Sequence, residues 1–205
     1  MTKIKLCGLS RPQDIEAANA LGPEYIGFVF AKGSRRYVSP ETAAELRSKL
    51  DPSIRAVGVF VNEAPEEVAR LLNEGIIDIA QLHGAEDEAY IRKLRELADK
   101  PVIKAFRMDA EDAESVPARA SECSADAILL DSGAGSGMTF NWKALKNFTR
   151  DYFLAGGLNP DNVAEAIREL HPAAVDVSSG IETEGRKDAA KMRQLVDAVR
   201  KEDGK

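Results

Sequence analysis

One unit recurs along the chain: a short apolar run, a turn, and an amphipathic stretch. It recurs eight times. The apolar runs are KIKLC (3–7), YIGFVF (25–30), AVGVFV (56–61), DIAQLH (78–83), PVIKAF (101–106), DAILLD (126–131), YFLAG (152–156) and AAVDVSS (173–179). They start roughly 22 to 31 residues apart, which leaves room for one strand, one helix and two loops. Eight such units have two common solutions, an open doubly wound sheet or a closed (β/α)8 barrel. A barrel takes about 250 residues, with about 200 near its lower end, and this chain has 205. An open dinucleotide-binding sheet would carry G-x-G-x-x-G after its first strand, and CGLSRP does not supply it. No change of composition and no linker divides the chain. The expectation is an α/β protein, one parallel eight-stranded (β/α)8 TIM barrel over residues 1–205.

The helices carry start signals. Ser10 opens an S-x-x-Q pattern with Gln13, with Pro12 in the tolerant first turn. Ser39-Pro40 and Asn159-Pro160 read as cap-plus-proline starts. Val163, Ala166, Ile167 and Leu170 share one helical face, as do Met192, Leu195, Val196 and Val199. Pro117 weakens the fifth helix, which is expected to be irregular. SGAGSGMTFN (132–141) is a glycine-rich loop after strand six.

Composition removes several function classes. A net charge of -6 argues against a nucleic-acid or anionic-membrane surface. No apolar run approaches the ~20 residues of a membrane span. Met1 leads almost directly into a strand, so a cytoplasmic protein without a targeting segment is expected. Cys7 and Cys123 are too few for a disulfide framework or a zinc site, and no metal is expected. They also fall at opposite ends of the strands, too far apart for a disulfide.

Alternation assigns the interior. If Cys7 points inward, Lys5 and Lys3 share its face, while Ile4 and Leu6 face the helices. Asp131 then shares a face with Leu129 and Ala127, Asp176 with Ser178, and His83 with Gln81. Closure makes strands one and eight neighbours, so Lys5 and Asp176 either pair beneath the site or lean out to water. An unpaired inward charge costs several kcal/mol. In such barrels the active site lies at the C-terminal strand ends. Cys7, Arg36, His83, Asp131 and Ser178 all fall there.

Three constellations carry chemistry. LAGGLNP places Gly156 and Gly157 after strand seven, and DVSSGIE places Ser178, Ser179 and Gly180 after strand eight. Barrels commonly hold phosphate with those two loops, so a small phosphorylated substrate is expected. Cys7 and Asp131 form a possible base and acid, a pairing suited to an isomerase that moves a proton along a sugar. The thiol would need its pKa lowered, by the first helix N-terminus or by Lys5, and burial would raise the carboxyl. Taken singly, Cys7 also fits a buried small hydrophobe and Asp131 a turn former. Lys32, Arg35 and Arg36 make a basic loop after strand two, where arginine can hold a carboxylate or simply be solvated. His83 fits a polar wall residue, a substrate contact or a satisfied histidine equally well.

KLCG, GFVFAKGSRRYVSP, VGVFVN, QLHG, LLDS, GSGMTFNW, LAGGLNP and VDVSSGIE, in this order, resemble the phosphoribosylanthranilate isomerases of tryptophan biosynthesis over nearly the entire chain. The resemblance implies an Amadori rearrangement with Asp131 as general acid, Cys7 as general base and Arg36 on the anthranilate carboxylate. Gly157, Ser179 and Gly180 would hold the phosphate, and no cofactor is implied. Two departures stand in the loop after strand six: Met138 where the family often has a longer polar residue, and Asn141 where it often has aspartate. The rival readings are a histidine-pathway or dual-specific aminoaldose isomerase and a non-catalytic phosphate-ligand barrel. The former resemble a two-aspartate design, and Cys7 stands where the first aspartate would be. Monomer and homodimer both remain open.

Overall fold

The computed structural model describes residues 1–108, 115–133 and 148–204. Strands β1 (Lys3–Cys7), β2 (Tyr25–Val29), β3 (Arg55–Phe60), β4 (Ile79–Leu82), β5 (Val102–Arg107), β6 (Ala127–Asp131), β7 (Tyr152–Ala155) and β8 (Ala174–Val177) pair in parallel, in sequence order. β8 returns to β1 with Lys5 opposite Asp176, so the sheet closes as a barrel. Helices α1 (Pro12–Leu21), α2 (Pro40–Arg47), α3 (Pro65–Asn73), α4 (Glu88–Leu97), α5 (Val116–Glu122), α6 (Val163–Leu170) and α7 (Ala189–Asp203) surround it. After β8 come a 3-10 turn (Ser179–Ile181) and a two-stranded ribbon, β9 (Glu182–Thr183) and β10 (Arg186–Lys187).

Two apolar layers follow from strand alternation. Ile4, Leu6, Ile26, Phe28, Ile128 and Leu130 point outward into the helices. Tyr25, Val57, Ile79, Ile103, Leu129 and Phe153 fill the interior. Each fully buried aliphatic contributes about 1.5–3 kcal/mol, and the inner layer takes residues from β2 to β8, with the buried Lys5 standing on β1. The faces read from helical spacing are the buried ones: Val163, Ala166 and Ile167 on α6, and Met192, Leu195, Val196 and Val199 on α7.

The helix starts differ in detail. Ser39 caps α2, its hydroxyl accepting from Thr42 N–H. The expected Ser10–Gln13 box is displaced by one residue. Asp14 accepts the backbone N–H groups of Ser10 and Arg11, and the Arg11 side chain closes on the same carboxylate. A carboxylate is the stronger acceptor at a helix N-terminus, which explains the shift. Asn159-Pro160 makes a turn, and α6 begins three residues later with Asn162 as its cap. Pro117 stands in the first turn of α5, a seven-residue helix. Residues 134–141 of the glycine-rich loop, with Met138 and Asn141, lie outside the described residues.

Candidate active site

Cys7 ends β1 and points into the barrel mouth beside Val29 and Val59. Gly27 stands opposite it on β2, where a Cβ would come 2.7 Å from the thiol sulfur. A glycine inside an apolar strand marks such a close approach. Two residues lower, the fully buried Lys5 places Nζ 3.2 Å from Cys7 Sγ and 2.9 Å from Asp176 Oδ2. Of the two alternatives for Lys5 and Asp176 the ion pair is the one that forms, and it lies directly under the thiol. Burial works against the Lys5 ammonium, but Asp176 and Cys7 outweigh it and hold its pKa above the ordinary value. Asp176 Oδ1 is buried and meets no hydrogen-bond partner among the described residues.

The thiol itself corrects an expectation. Its pKa is raised, chiefly by burial and further by Asp176, against the lowering pull of Lys5 and Lys187. Lys5 is the strongest of the groups that favour a thiolate, but it is shared with Asp176, and burial outweighs it.

Across the mouth, Asp131 ends β6. Oδ1 accepts the Gly133 N–H at 3.0 Å, and Oδ2 lies 3.2 Å from His83 Nε2. Gln81 Nε2 lies 2.9 Å from His83 Nδ1 on the same inward face of β4. A donating amide there leaves the ring proton on Nε2, aimed at Asp131. Burial raises the Asp131 carboxyl, as expected. However, the hydrogen bonds from His83 and Gly133, with the electrostatic pull of His83 and Arg107, carry it below its usual value. Arg107 reaches this wall because β5 pairs it in register with Asp131.

The remaining sequence candidates gather on the β7–β8 side. Gly156 and Gly157, with φ of 94° and 65°, turn the chain after β7. Gly180 lies in the 3-10 turn, where a Cβ would strike the Leu158 carbonyl, so the two loops pack into one cradle. Among the described residues, the N–H groups of Gly157, Ser179 and Gly180 meet no acceptor. Ser178 is committed elsewhere: its hydroxyl donates to the Cys7 carbonyl and its oxygens accept from Lys187. Arg36 is not a solvated side chain. Its Nε and Nη2 grip Glu182 at 2.6 and 3.0 Å. Cys123 is buried and free at the far end of β6, away from Cys7.

Gln81 was placed on the face of His83 without a role, and Arg107, Glu182 and Lys187 were not singled out from the sequence. The signal for the last two was the short ETEGRK turn, whose Glu184-Gly185 centre takes positive φ at both residues, as a tight hairpin requires. Among the described residues no three His, Cys, Asp or Glu side chains cluster to hold a metal.

Residues 4–198 match the family model of N-(5'phosphoribosyl)anthranilate (PRA) isomerase. The chain belongs to this family. A relative from Endomicrobium trichonymphae, named N-(5'-phosphoribosyl)anthranilate isomerase, is 45% identical over 98% of this chain and 99% of its own. The crystal structure of phosphoribosyl anthranilate isomerase from Thermotoga maritima superposes with a TM-score of 0.87 at 36% identity, covering 98% of this chain and 100% of that one. A further isomerase structure, solved with reduced 1-(o-carboxyphenylamino)-1-deoxyribulose 5-phosphate, gives 0.84 at 35%, with coverage of 98% and 100%.

Proposed function

We propose that Cys7 and Asp131 are the proton-transfer pair with which this chain rearranges N-(5'-phosphoribosyl)anthranilate to 1-(2-carboxyphenylamino)-1-deoxyribulose 5-phosphate in tryptophan biosynthesis. The observation that carries the reading is their common rim. Both end their strands on the inward face, with β7, β8 and the phosphate cradle between them.

The chemistry follows from position. Asp131 gives a proton to the ribose ring oxygen, and the C1'–O bond opens to an iminium. Cys7 takes the C2' proton, and the bonding pair flows to the nitrogen, giving an enolamine. That species tautomerises, losing the O2' proton and gaining one at C1', to leave the ketone. The N–H groups of Gly157, Ser179 and Gly180 receive the phosphate, and Gly156 shapes the turn that presents them. Arg36 receives the carboxylate, and Asp176 Oδ1 accepts from a sugar hydroxyl. Ser178 and His83 act through Cys7 and Asp131. The chain works as one domain in the cytoplasm, as a monomer or homodimer. No helix among the described residues is long and apolar enough to cross a membrane, and a Thermotoga maritima relative is described as dimeric.

A second reading exchanges the roles, with Cys7 as acid and Asp131 as base. The resting pKa directions favour it, because the thiol is raised and the carboxyl lowered. A complex with the reduced product separates the two: C2' beside Cys7 Sγ supports the first assignment, and C2' beside Asp131 the second.

Turnover tests the function. Anthranilate-type fluorescence should change when enzyme meets freshly made substrate. Cys7→Ala and Asp131→Asn should each lose about 10²- to 10⁴-fold in rate. Rates equal to wild type would remove both roles. The histidine-pathway substrate, assayed on the same sample, should not turn over.

A further inference from the structure

We propose that Glu182 is a positioning residue for substrate recognition: it fixes the Arg36 guanidinium so that one edge remains for the substrate carboxylate. The proposal rests on the reading above that Arg36 receives that group.

Glu182 opens β9 and is buried, although it carries a full negative charge; its pKa is pulled down to about 2. Burial opposes this, and hydrogen bonds from Arg36 and Lys187 overcome it. Three cations converge on it. Arg36 binds both oxygens, Lys187 Nζ lies 2.6 Å from Oε1, and Arg35 Nη2 lies 2.9 Å from Oε2.

The manner of the Arg36 contact matters. Nε and Nη2 are one edge of the guanidinium fork, and both face Glu182. The Nη1–Nη2 edge is the one suited to a second carboxylate, because two parallel N–H donors match two oxygens. The stem of Arg36 crosses Gly8, the residue after Cys7. A Cβ on Gly8 would come 2.5 Å from Arg36 Cδ and 3.3 Å from Ser178 Oγ. The guanidinium is thus held over the rim where the thiol opens.

Charge supports the same reading. A single carboxylate facing a single arginine would cancel it. Here three cations face one carboxylate, 3 − 1, leaving a local charge of +2. Lys187 stands opposite Glu182 in the ribbon and also ties down the Ser178 carbonyl. The ribbon therefore couples the arginine to the loop that follows β8. Glu182 supplies geometry, and the surrounding cations preserve the attraction for an anion.

The experiment compares two ligands on wild type, Glu182→Gln, Glu182→Asp, Arg36→Met and the Arg36→Met/Glu182→Gln double variant. The ligands are reduced 1-(o-carboxyphenylamino)-1-deoxyribulose 5-phosphate and its analogue lacking the ring carboxyl. Dissociation constants are read by fluorescence, with thermal unfolding of each variant as a folding control. Wild type should prefer the carboxylated ligand. Glu182→Gln should lose about tenfold of that preference and raise KM more than it lowers kcat. Glu182→Asp keeps the charge but loses reach, and should fall between; it also serves if the Gln variant does not fold. In the Arg36→Met background, Glu182→Gln should change the preference no further. An Arg36→Met variant with undiminished preference overturns the carboxylate reading of Arg36, and this proposal with it. A lost preference in Arg36→Met, alongside an intact one in both Glu182 variants, overturns the Glu182 proposal alone. So does an equal effect of Glu182→Gln with and without Arg36.

Discussion

On the β1–β8 wall the proposed reacting group is a buried thiol standing on a buried ion pair. On the β4–β6 wall it is a partly open carboxyl held by a histidine and a backbone N–H. The first wall satisfies its charges within the protein: Lys5 answers Asp176 at 2.9 Å, and burial keeps the thiol protonated. The second leaves a carboxylate facing the mouth, with His83 and Arg107 favouring its ionised form. The difference teaches where each wall is vulnerable. Changes under Cys7 act first on stability, because they strand a buried charge. Changes around Asp131 act first on proton affinity, because water can reach that side.

The two directions also set the pH dependence. If Asp131 is the acid and Cys7 the base, the reactive form has the carboxyl protonated and the thiol ionised, the less populated arrangement. Between the two pKa values, each unit of rising pH gives about ten times more thiolate and a tenth as much acid, so kcat/KM is flat. Below the Asp131 pKa the acid is already protonated, and further acidification only removes thiolate, so the rate falls. Above the Cys7 pKa the thiolate is complete and only acid is lost, so it falls again.

The largest expected effect belongs to the first wall. Asp176→Asn leaves Lys5 fully buried with only the thiol as partner. It should cost about 3–5 kcal/mol of unfolding free energy, read by denaturant titration. Asp176 raises the Cys7 pKa, so its removal should also bring the alkaline limb of kcat/KM to lower pH. The pair Lys5→Met with Asp176→Leu should regain most of the stability, because apolar replacement of a buried ion pair is often neutral. Asp176→Asn stability equal to wild type would erase the contrast between the walls.

Much of this arrangement was legible in the sequence. Strand alternation put Lys5 on the face of Cys7, and barrel closure made a pair with Asp176 one of two alternatives, the other being to lean out to water. It also put Gln81, His83 and Asp131 inside, without saying how near they come. Local order is carried by period and by cap residues, which are properties of neighbouring residues. The signs of the pKa shifts are not. Asp131 ends an apolar run, which argued for a raised carboxyl, but its proton affinity is set by His83, 48 residues earlier, and by the N–H of Gly133, two residues on. Likewise the Lys5 charge was visible, but its division between Asp176 and Cys7 depends on distances. Glu182 escaped notice because its importance lies in side chains from the loop after β2, 146 residues away.

A smaller effect is expected on the second wall. His83→Asn removes the strongest of the influences that lower the Asp131 pKa. The carboxyl should return upward, and the acid limb of kcat/KM should move to higher pH. Unfolding free energy should change little, because the ring and the carboxyl are both about a fifth exposed. If Asp131 is the acid, the plateau gains a larger protonated fraction. If the roles are exchanged, its occupancy is already full and gains nothing. Arg107→Gln should move the same limb in the same direction by less. Arg107 acts on Asp131 through charge, as the weakest of the named influences. Salt separates them. The shift between wild type and Arg107→Gln should shrink as ionic strength rises, because it is Coulombic and open to solvent. The His83 shift should persist, being mainly a hydrogen bond. An Arg107 shift as large as that of His83, or equally resistant to salt, would mean that the carboxyl wall is organised by a direct arginine contact, and the division between a charge-closed wall and a hydrogen-bonded one would have to be redrawn.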